Sequence, residues 1–430
     1  MAISGRFFLL ALLAVVPIIA VPAAATWLLA LTVLLLVLVA DLLLAASPRG
    51  VSLRRELPSG VRLSEGTTAV LRLANHSRRL LRARVRDGWQ PSAGAANAVQ
   101  DIRIPAGERR SMTVSLLPAR RGDLRAEHVT IRSFGPLGMA ARQATITAPG
   151  TLRVLPPFHS KRHLPSKLRK LRELDGKAAV QIRGAGTEFD SLRDYVRGDD
   201  VRSIDWRATA RRRDVVVRTW RPERDRRVVI VLDTSRTSAA RIEDEPQLDT
   251  GIEASLLLAV LAERGGDRVS LIAYDRRVRT RVSSSGKGNM LGAMVQGLAP
   301  LQPELIELDA AGVPGQVRAV TAHRALVVLV TSLDAGAAEE GLIPLVAQLA
   351  RKHVVVVASV RDPALDAARL ERSTSTLAYR AAAAEHALNR RAAITAVIKQ
   401  LGAEVVDAPP HELPPELADM YIRLKAAGRL

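Results

Sequence analysis

The chain contains no cysteine, which removes disulfides and thiolate metal centres from consideration. Aromatic residues make up only 3% of it, too few for the stacking platforms that hold single-stranded nucleic acid. Its 8 histidines are scattered, and none falls in a His-Glu-x-x-His pattern, so no imidazole zinc site is indicated. Gly286-Lys287 resembles the end of a phosphate-binding loop, but Arg281 stands where the loop's first glycine belongs. Acidic residues are also in short supply, 43 against 63 Lys and Arg, for a net charge of +20. That excess suits anionic lipid, an acidic protein surface or nucleic acid. Acids are interleaved with the arginines and no nucleic-acid motif is present, so nucleic acid is the least supported of the three. The 430 residues leave room for two or three domains with sizeable cores.

Long apolar runs are confined to residues 1–50. Phe7 to Val21 is interrupted only by Pro17, and Trp27 to Ala46 carries the single charge Asp41. We expect a two-helix transmembrane hairpin; a signal peptide followed by an anchor is the alternative. Arg6 precedes the first run, and Arg49, Arg54 and Arg55 follow the second. The positive-inside rule then places both ends, and all that follows, on the cytoplasmic side of the inner membrane. Asp41 is either a buried functional carboxylate or a side chain at headgroup level.

Residues 51–157 show short alternating runs, 67–75, 81–85, 111–116 and 128–132, separated by turn residues such as Pro105-Ala-Gly107. This spacing predicts an antiparallel, sandwich-like domain. Residues 158–225 are a basic connector, with Leu164, Leu168, Leu171 and Leu174 at helical spacing, followed by a charged module. From 226 to 430, apolar strands at 228–232, 269–274, 326–330, 354–360 and 404–406 alternate with helical stretches at 248–264, 290–298, 337–352 and 381–401. That alternation predicts an α/β fold, a doubly wound and mostly parallel sheet with helices on both faces, and 278–282 as an antiparallel edge strand.

Two motifs carry the candidate chemistry. The strand 228–232 ends at Asp233-Thr-Ser-Arg-Thr237. Asp233, Ser235 and Thr237 are hard oxygen ligands suited to a divalent cation such as Mg2+ or Mn2+; the alternative is that Asp233 and Ser235 cap the following turn. The charged module carries Glu188, Asp190, Arg193, Asp194, Tyr195, Gly198, Asp199, Arg202, Asp205, Trp206, Arg207 and Arg211. Alternating acids and arginines without a nucleophile or base favour an ion-paired scaffold over acid–base catalysis. Trp206 is expected to pack on a sheet or a partner.

The order TEFDSLRDYVRGDDVRSIDWRATARR, then a strand, then DTSRT, resembles the bacterial domain-of-unknown-function 58 family. The resemblance implies a membrane-anchored protein with a von Willebrand factor A-like domain and a MoxR-type AAA+ ATPase as partner. It also implies a metal-ion-dependent adhesion site of the form Asp-x-Ser-x-Ser, here Asp233, Ser235 and Thr237. Two further loops of such a site depart from the pattern. Residues 301–307 hold no threonine, and after the strand 326–330 the chain reads Thr331-Ser-Leu-Asp334, so the acid either comes two residues late, with Asp334 as the fourth ligand, or is replaced by Ser332. The expected function is a non-enzymatic, membrane-anchored interaction protein in the assembly or maturation of protein complexes. The alternatives are a metal-dependent hydrolase at the membrane face and a scaffold with a vestigial metal site.

Overall fold

In a computed structural model the described residues are 2–181, 188–197, 199–212, 214–221, 226–284, 289–334, 336 and 338–430, with side chains described for these except 175–181, 188–191, 212, 219–221, 338 and 340. The chain forms two compact units, Met1–Pro157 and Phe158–Leu430.

The first unit begins with two apolar helices, Gly5–Ala20 of 16 residues and Ala24–Leu44 of 21. At 1.5 Å per residue the second is about 32 Å long, and it is the one helix among the described residues long and apolar enough to cross a membrane. Two sheets follow. One holds Val51–Glu56, Thr67–Asn75, Arg109–Leu116 and the short Ala95–Ala96; the other holds Ala140–Leu155, Gly122–Phe134, Leu81–Trp89 and Val99–Ile104, with Ala2–Ile3 added at the edge. Alternation sends Leu71, Leu73, Met112 and Val114 of the first sheet, and Val85, Ile131 and Leu152 of the second, into one core. The 16-residue strand Ala140–Leu155 lies where the alternating pattern predicts none. Pro149-Gly150 reads as a turn, but the pairing with Gly122–Phe134 only shifts register there, between Thr147 and Gly150. A bulge is where a sheet tolerates proline, because no ladder N–H is required of it.

In the second unit the strand order is Val278–Ser283, Arg268–Tyr274, Arg227–Asp233, Leu326–Val330, Val354–Val360, Glu404–Ala408. Only the first of these is antiparallel to its neighbour, so the edge strand expected at 278–282 is present. All five residues of Leu326–Val330 and all seven of Val354–Val360 are buried, as strands covered on both faces must be. The helix Gln247–Arg264 is buried at every position from Leu248 to Ala262 except Glu253, because it packs between the sheet and the helix Leu413–Ala426. On the opposite face Val313, Val317, Leu345, Val346, Leu349, Ile394 and Ile398 close a second core over the strands. The amphipathic helix of the connector is Leu164–Gln181, with Leu171 buried. It packs within this unit, where Lys167 pairs with Asp419 at 2.5 Å.

Candidate functional site

Asp233 ends an interior strand of the parallel sheet. The chain leaves that strand to build Arg268–Tyr274 on one side and later returns to build Leu326–Val330 on the other. In open α/β sheets such a reversal leaves a crevice outside the carboxyl ends of the two strands, and ligands collect there. Here those two ends deliver Asp233 and Thr331. Gly251 permits the helix Gln247–Arg264 to come close at this point: a Cβ on it would lie 3.0 Å from Val330 and 3.1 Å from Leu232.

The Asp233 carboxylate is 3% exposed. Its Oδ1 accepts from the Ser235 amide at 2.8 Å, and its Oδ2 accepts from the Thr331 hydroxyl at 2.6 Å and the Thr237 hydroxyl at 3.2 Å. The Ser235 and Thr237 hydroxyls are themselves 3.2 Å apart. One acid and three hydroxyls therefore converge. Beside them is a pocket of about 20 Å³ whose wall combines the polar Asp233, Ser238, Gln247, Thr331 and Ser332 with apolar residues such as Leu232, Leu248, Val330 and Val360, room for about one water. The Ser332 hydroxyl is buried and has no hydrogen-bond partner.

Asp334 stands elsewhere. Its Oδ1 lies 3.5 Å from the Arg391 guanidinium, and among the described residues no hydrogen bond or ion pair joins it to Asp233. Arg391 comes from the helix Ser375–Gln400 and also reaches Asp407 at 2.7 Å, Ser359 at 2.9 Å and the Val360 carbonyl at 3.2 Å. A buried guanidinium requires such partners, and the two carboxylates answer it. The displaced position of Asp334 in the sequence thus corresponds to a different partner, while Thr331, directly at the strand end, is the residue that meets Asp233.

A second tier supports the crevice. Asp275 is fully buried and accepts from the Thr234 hydroxyl at 3.0 Å and the amides of Arg276 and Arg277 at 2.6 and 3.0 Å. The Tyr274 hydroxyl donates to Asp309 at 2.9 Å; burial and that carboxylate push the phenol up to about 12, so it remains a donor. The segment expected to carry a threonine supplies Glu304 and Glu307 instead, paired to Arg279 at 2.6 Å and to Arg236. Nothing in the sequence joins Arg391 to Asp334 or Tyr274 to Asp309. Only the apolar strand running into Thr331, as another runs into Asp233, gives a signal for the fourth oxygen.

The charged module is a two-stranded ribbon, Glu188–Asp194 with Val216–Arg221, plus the short helix Trp206–Arg212. Gly198 lies outside the described residues, as do the side chains of Glu188 and Asp190. Arg193 forms a two-pronged pair with Asp199 at 2.6 and 2.7 Å. Asp205 caps the helix by accepting from the amides of Arg207 and Ala208, both at 3.0 Å, and pairs with Arg218 at 2.9 Å. The Asp200 side chain accepts from the Arg202 amide at 2.9 Å, and Asp194 offers its carbonyl to Arg193. Tyr195, Arg202, Arg207 and Arg211 are exposed. Of the two places expected for Trp206, the sheet is not the one it takes: it is 68% exposed, because the helix it opens turns its inner face, at Ala208 and Thr209, toward the ribbon.

The Arg193 fork, with help from the Val196 amide, holds Asp199 below its ordinary 3.8. The Ala208 amide, and then Arg218, do the same for Asp205. Folded values below the unfolded ones mean that both carboxylates support the module fully above about 3.8, and that this support is lost as the pH falls further. Amide resonances of Val196, Arg207 and Ala208 should therefore move together on acidification below that value. Asp199→Asn should abolish the Val196 response while leaving the other two.

The chain can now be placed beside known proteins. The family described as "Protein of unknown function DUF58" matches residues 191–370, which include most of the charged ribbon, Asp233 and Asp334. Among curated proteins, the chain is 24% identical over 172 residues to the uncharacterized protein YeaD of Bacillus subtilis, covering 40% of this chain and 42% of that one. It is 27% identical over 184 residues to the uncharacterized protein Rv1480 of Mycobacterium tuberculosis, covering 42% and 57%. The chain spans about half the length of the curated relatives it matches. Among solved structures it is similar to the SpRpn10 VWA domain, with a TM-score of 0.30 and 12% identity over 45% of this chain and 94% of that one. It is also similar to PapD-like domain 7 of human CEP192, with a TM-score of 0.19 and 10% identity over 24% and 84%. Through residues 191–370 the chain is thus similar to the DUF58 family.

Proposed function

We propose that the protein is a membrane-tethered interaction module whose α/β unit, of von Willebrand A type, offers the crevice at Asp233 to an acidic side chain of a partner protein. The partner in this reading is a MoxR-type AAA+ ATPase on the cytoplasmic side, and the module serves the assembly or maturation of protein complexes. The observation that supports it most is the convergence of Asp233, Ser235, Thr237 and Thr331 beside a small pocket with the unpartnered Ser332 hydroxyl. The donors are all hard oxygens, and magnesium is commonly held by one or two carboxylates with water completing the shell. Asp233, Ser235 and Thr237 fit such an ion, with Thr331 orienting the carboxylate. An ion held there would supply a positive centre for the partner's acid, since one carboxylate leaves a dication with net positive charge. Asp233 is the sole carboxylate lining the pocket among the described residues, so no separate base stands beside it, which favours binding over hydrolysis.

Two measurements on the full chain in detergent test this. Titration calorimetry with Mg2+ should give binding to the wild type and none to Asp233→Ala. The ATPase should co-purify with the wild type in Mg2+ and be lost with chelator or with Asp233→Ala. Equal capture of the ATPase by wild type and variant would remove Asp233 from the interface.

A further inference from the structure

The outer face of the sheet formed by Val51–Glu56, Thr67–Asn75 and Arg109–Leu116 carries an unusual arrangement of charge. Alternation that sends Leu71 and Leu73 inward sends Arg72 outward, and the register places Arg54 directly opposite Arg72, with Ala74 opposite Arg109 on the other side. Like charges facing each other across strands destabilise a sheet. Of these, Arg72 pairs with Glu56 at 3.0 Å, whereas Arg54 and Arg109 have no carboxylate partner among the described residues. The three arginines line a groove of about 550 Å³ together with Arg110, Ser52, His76, Ser111 and the Glu56 carboxylate that Arg72 neutralises, a volume in the range of small-ligand sites. The Ser52 hydroxyl and the His76 Nε2 are 2.8 Å apart at one end of it.

That end adjoins the second membrane helix. The His76 amide donates to the Gly50 carbonyl at 2.9 Å, and three residues on, the Arg79 guanidinium reaches the carbonyl of Leu43, in the last turn of the helix Ala24–Leu44. A helix that just spans the hydrocarbon layer puts its ends at the headgroups, and basic side chains at that depth attract anionic lipid. We propose that the groove lined by Arg54, Arg72, Arg109, Ser52 and His76 binds the phosphate of an anionic phospholipid headgroup. Arginine suits that ligand because its planar fork meets two phosphate oxygens at once. The proposal rests on the reading of the chain as membrane-anchored.

The test uses the full chain purified in neutral detergent and native mass spectrometry of its lipid adducts. Phosphatidylglycerol should be retained about tenfold more than phosphatidylcholine, and the variant Arg54→Gln/Arg72→Gln/Arg109→Gln should retain the two alike. These side chains are exposed, and an unchanged thermal transition will show that the variant folds. Equal phosphatidylglycerol retention by wild type and variant overturns the proposal. So does displacement of the lipid by millimolar inorganic phosphate or by a glutamate-rich peptide, either of which assigns the groove to a soluble anion or an acidic protein. Alkaline extraction of membranes that contain the chain separates the two readings. Release into the supernatant overturns the anchor, and retention with no lipid preference overturns the groove alone.

Discussion

Asp41→Ala should cost the first unit on the order of 3–5 kcal/mol. Asp41 is fully buried near the end of the second apolar helix. Its Oδ1 accepts from the Leu137 amide at 2.8 Å, and its Oδ2 accepts from the amides of Met139 and Ala140 at 2.7 and 2.9 Å. Alanine would leave three backbone donors without an acceptor where water enters poorly. Each such orphan costs roughly 1–3 kcal/mol, less what relaxation returns. The carboxylate is thus buried and fully taken up by three backbone amides. It is the tie between the hairpin and the turn at 135–139. Gly135 is part of the same device, since a Cβ on it would collide with the Asp41 carboxylate. Thermal unfolding of the full chain in detergent checks this. Asp41→Asn, which keeps one acceptor oxygen, should lose less than Asp41→Ala, and Gly135→Ala should lose a comparable amount. A loss below about 1 kcal/mol for Asp41→Ala would mean that water replaces the carboxylate.

Asp87→Ala should be similarly damaging, at about 3–5 kcal/mol. Arg55 and Asp87 meet at 2.7 Å with their side chains 2% and 1% exposed. Asp87 also accepts from the Trp89 indole at 2.7 Å, and the Arg55 guanidinium lies 5.2 Å from the centre of the Trp89 ring. Arg55 keeps Nε and Nη1 buried without partners. Burial pushes Arg55 down and Asp87 up, and their mutual attraction only partly opposes this. A pair in that state contributes little net stability, yet breaking it leaves an uncompensated charge in the core. The combination Arg55→Met/Asp87→Asn should therefore recover most of what Asp87→Ala loses, because it removes the charge and keeps an acceptor for Trp89. Unfolding that is no better in the double variant than in the single one would place the loss in packing instead.

These ties also show what the sequence could and could not convey. Uniform apolar runs made the strands at 326–330 and 354–360 legible to the residue, and Met290–Leu298 was equally plain from its periodicity. Local chemistry carried the strand end at Asp233, because Ser235 and Thr237 are its neighbours in the chain. The remaining partners are far away in sequence. Thr331 is 98 residues from Asp233, and Arg391 is 57 residues from Asp334. Pairing between distant side chains leaves no periodic trace, so Asp334 reads as a ligand by its residue type when its charge is answered by another helix. The helix Leu413–Ala426 is held by the same kind of distant contact. Its 14 residues are fixed by Tyr421 and Lys425, which meet the buried Asp267 at 2.6 and 3.1 Å.

The helix Ser375–Gln400 is seated mainly through its second half, where Arg391, Ile394 and Ile398 are buried. Most of its side chains before Arg391 are exposed, with Ala381 and Ala384 the buried exceptions. The stretch from Ser375 to Arg391 is about 24 Å long, and it packs on the short helix Pro363–Ala368. Among the described residues, Arg391 is thus the single side chain through which the helix Ser375–Gln400 meets Asp334, Asp407 and the strand Val354–Val360 at once.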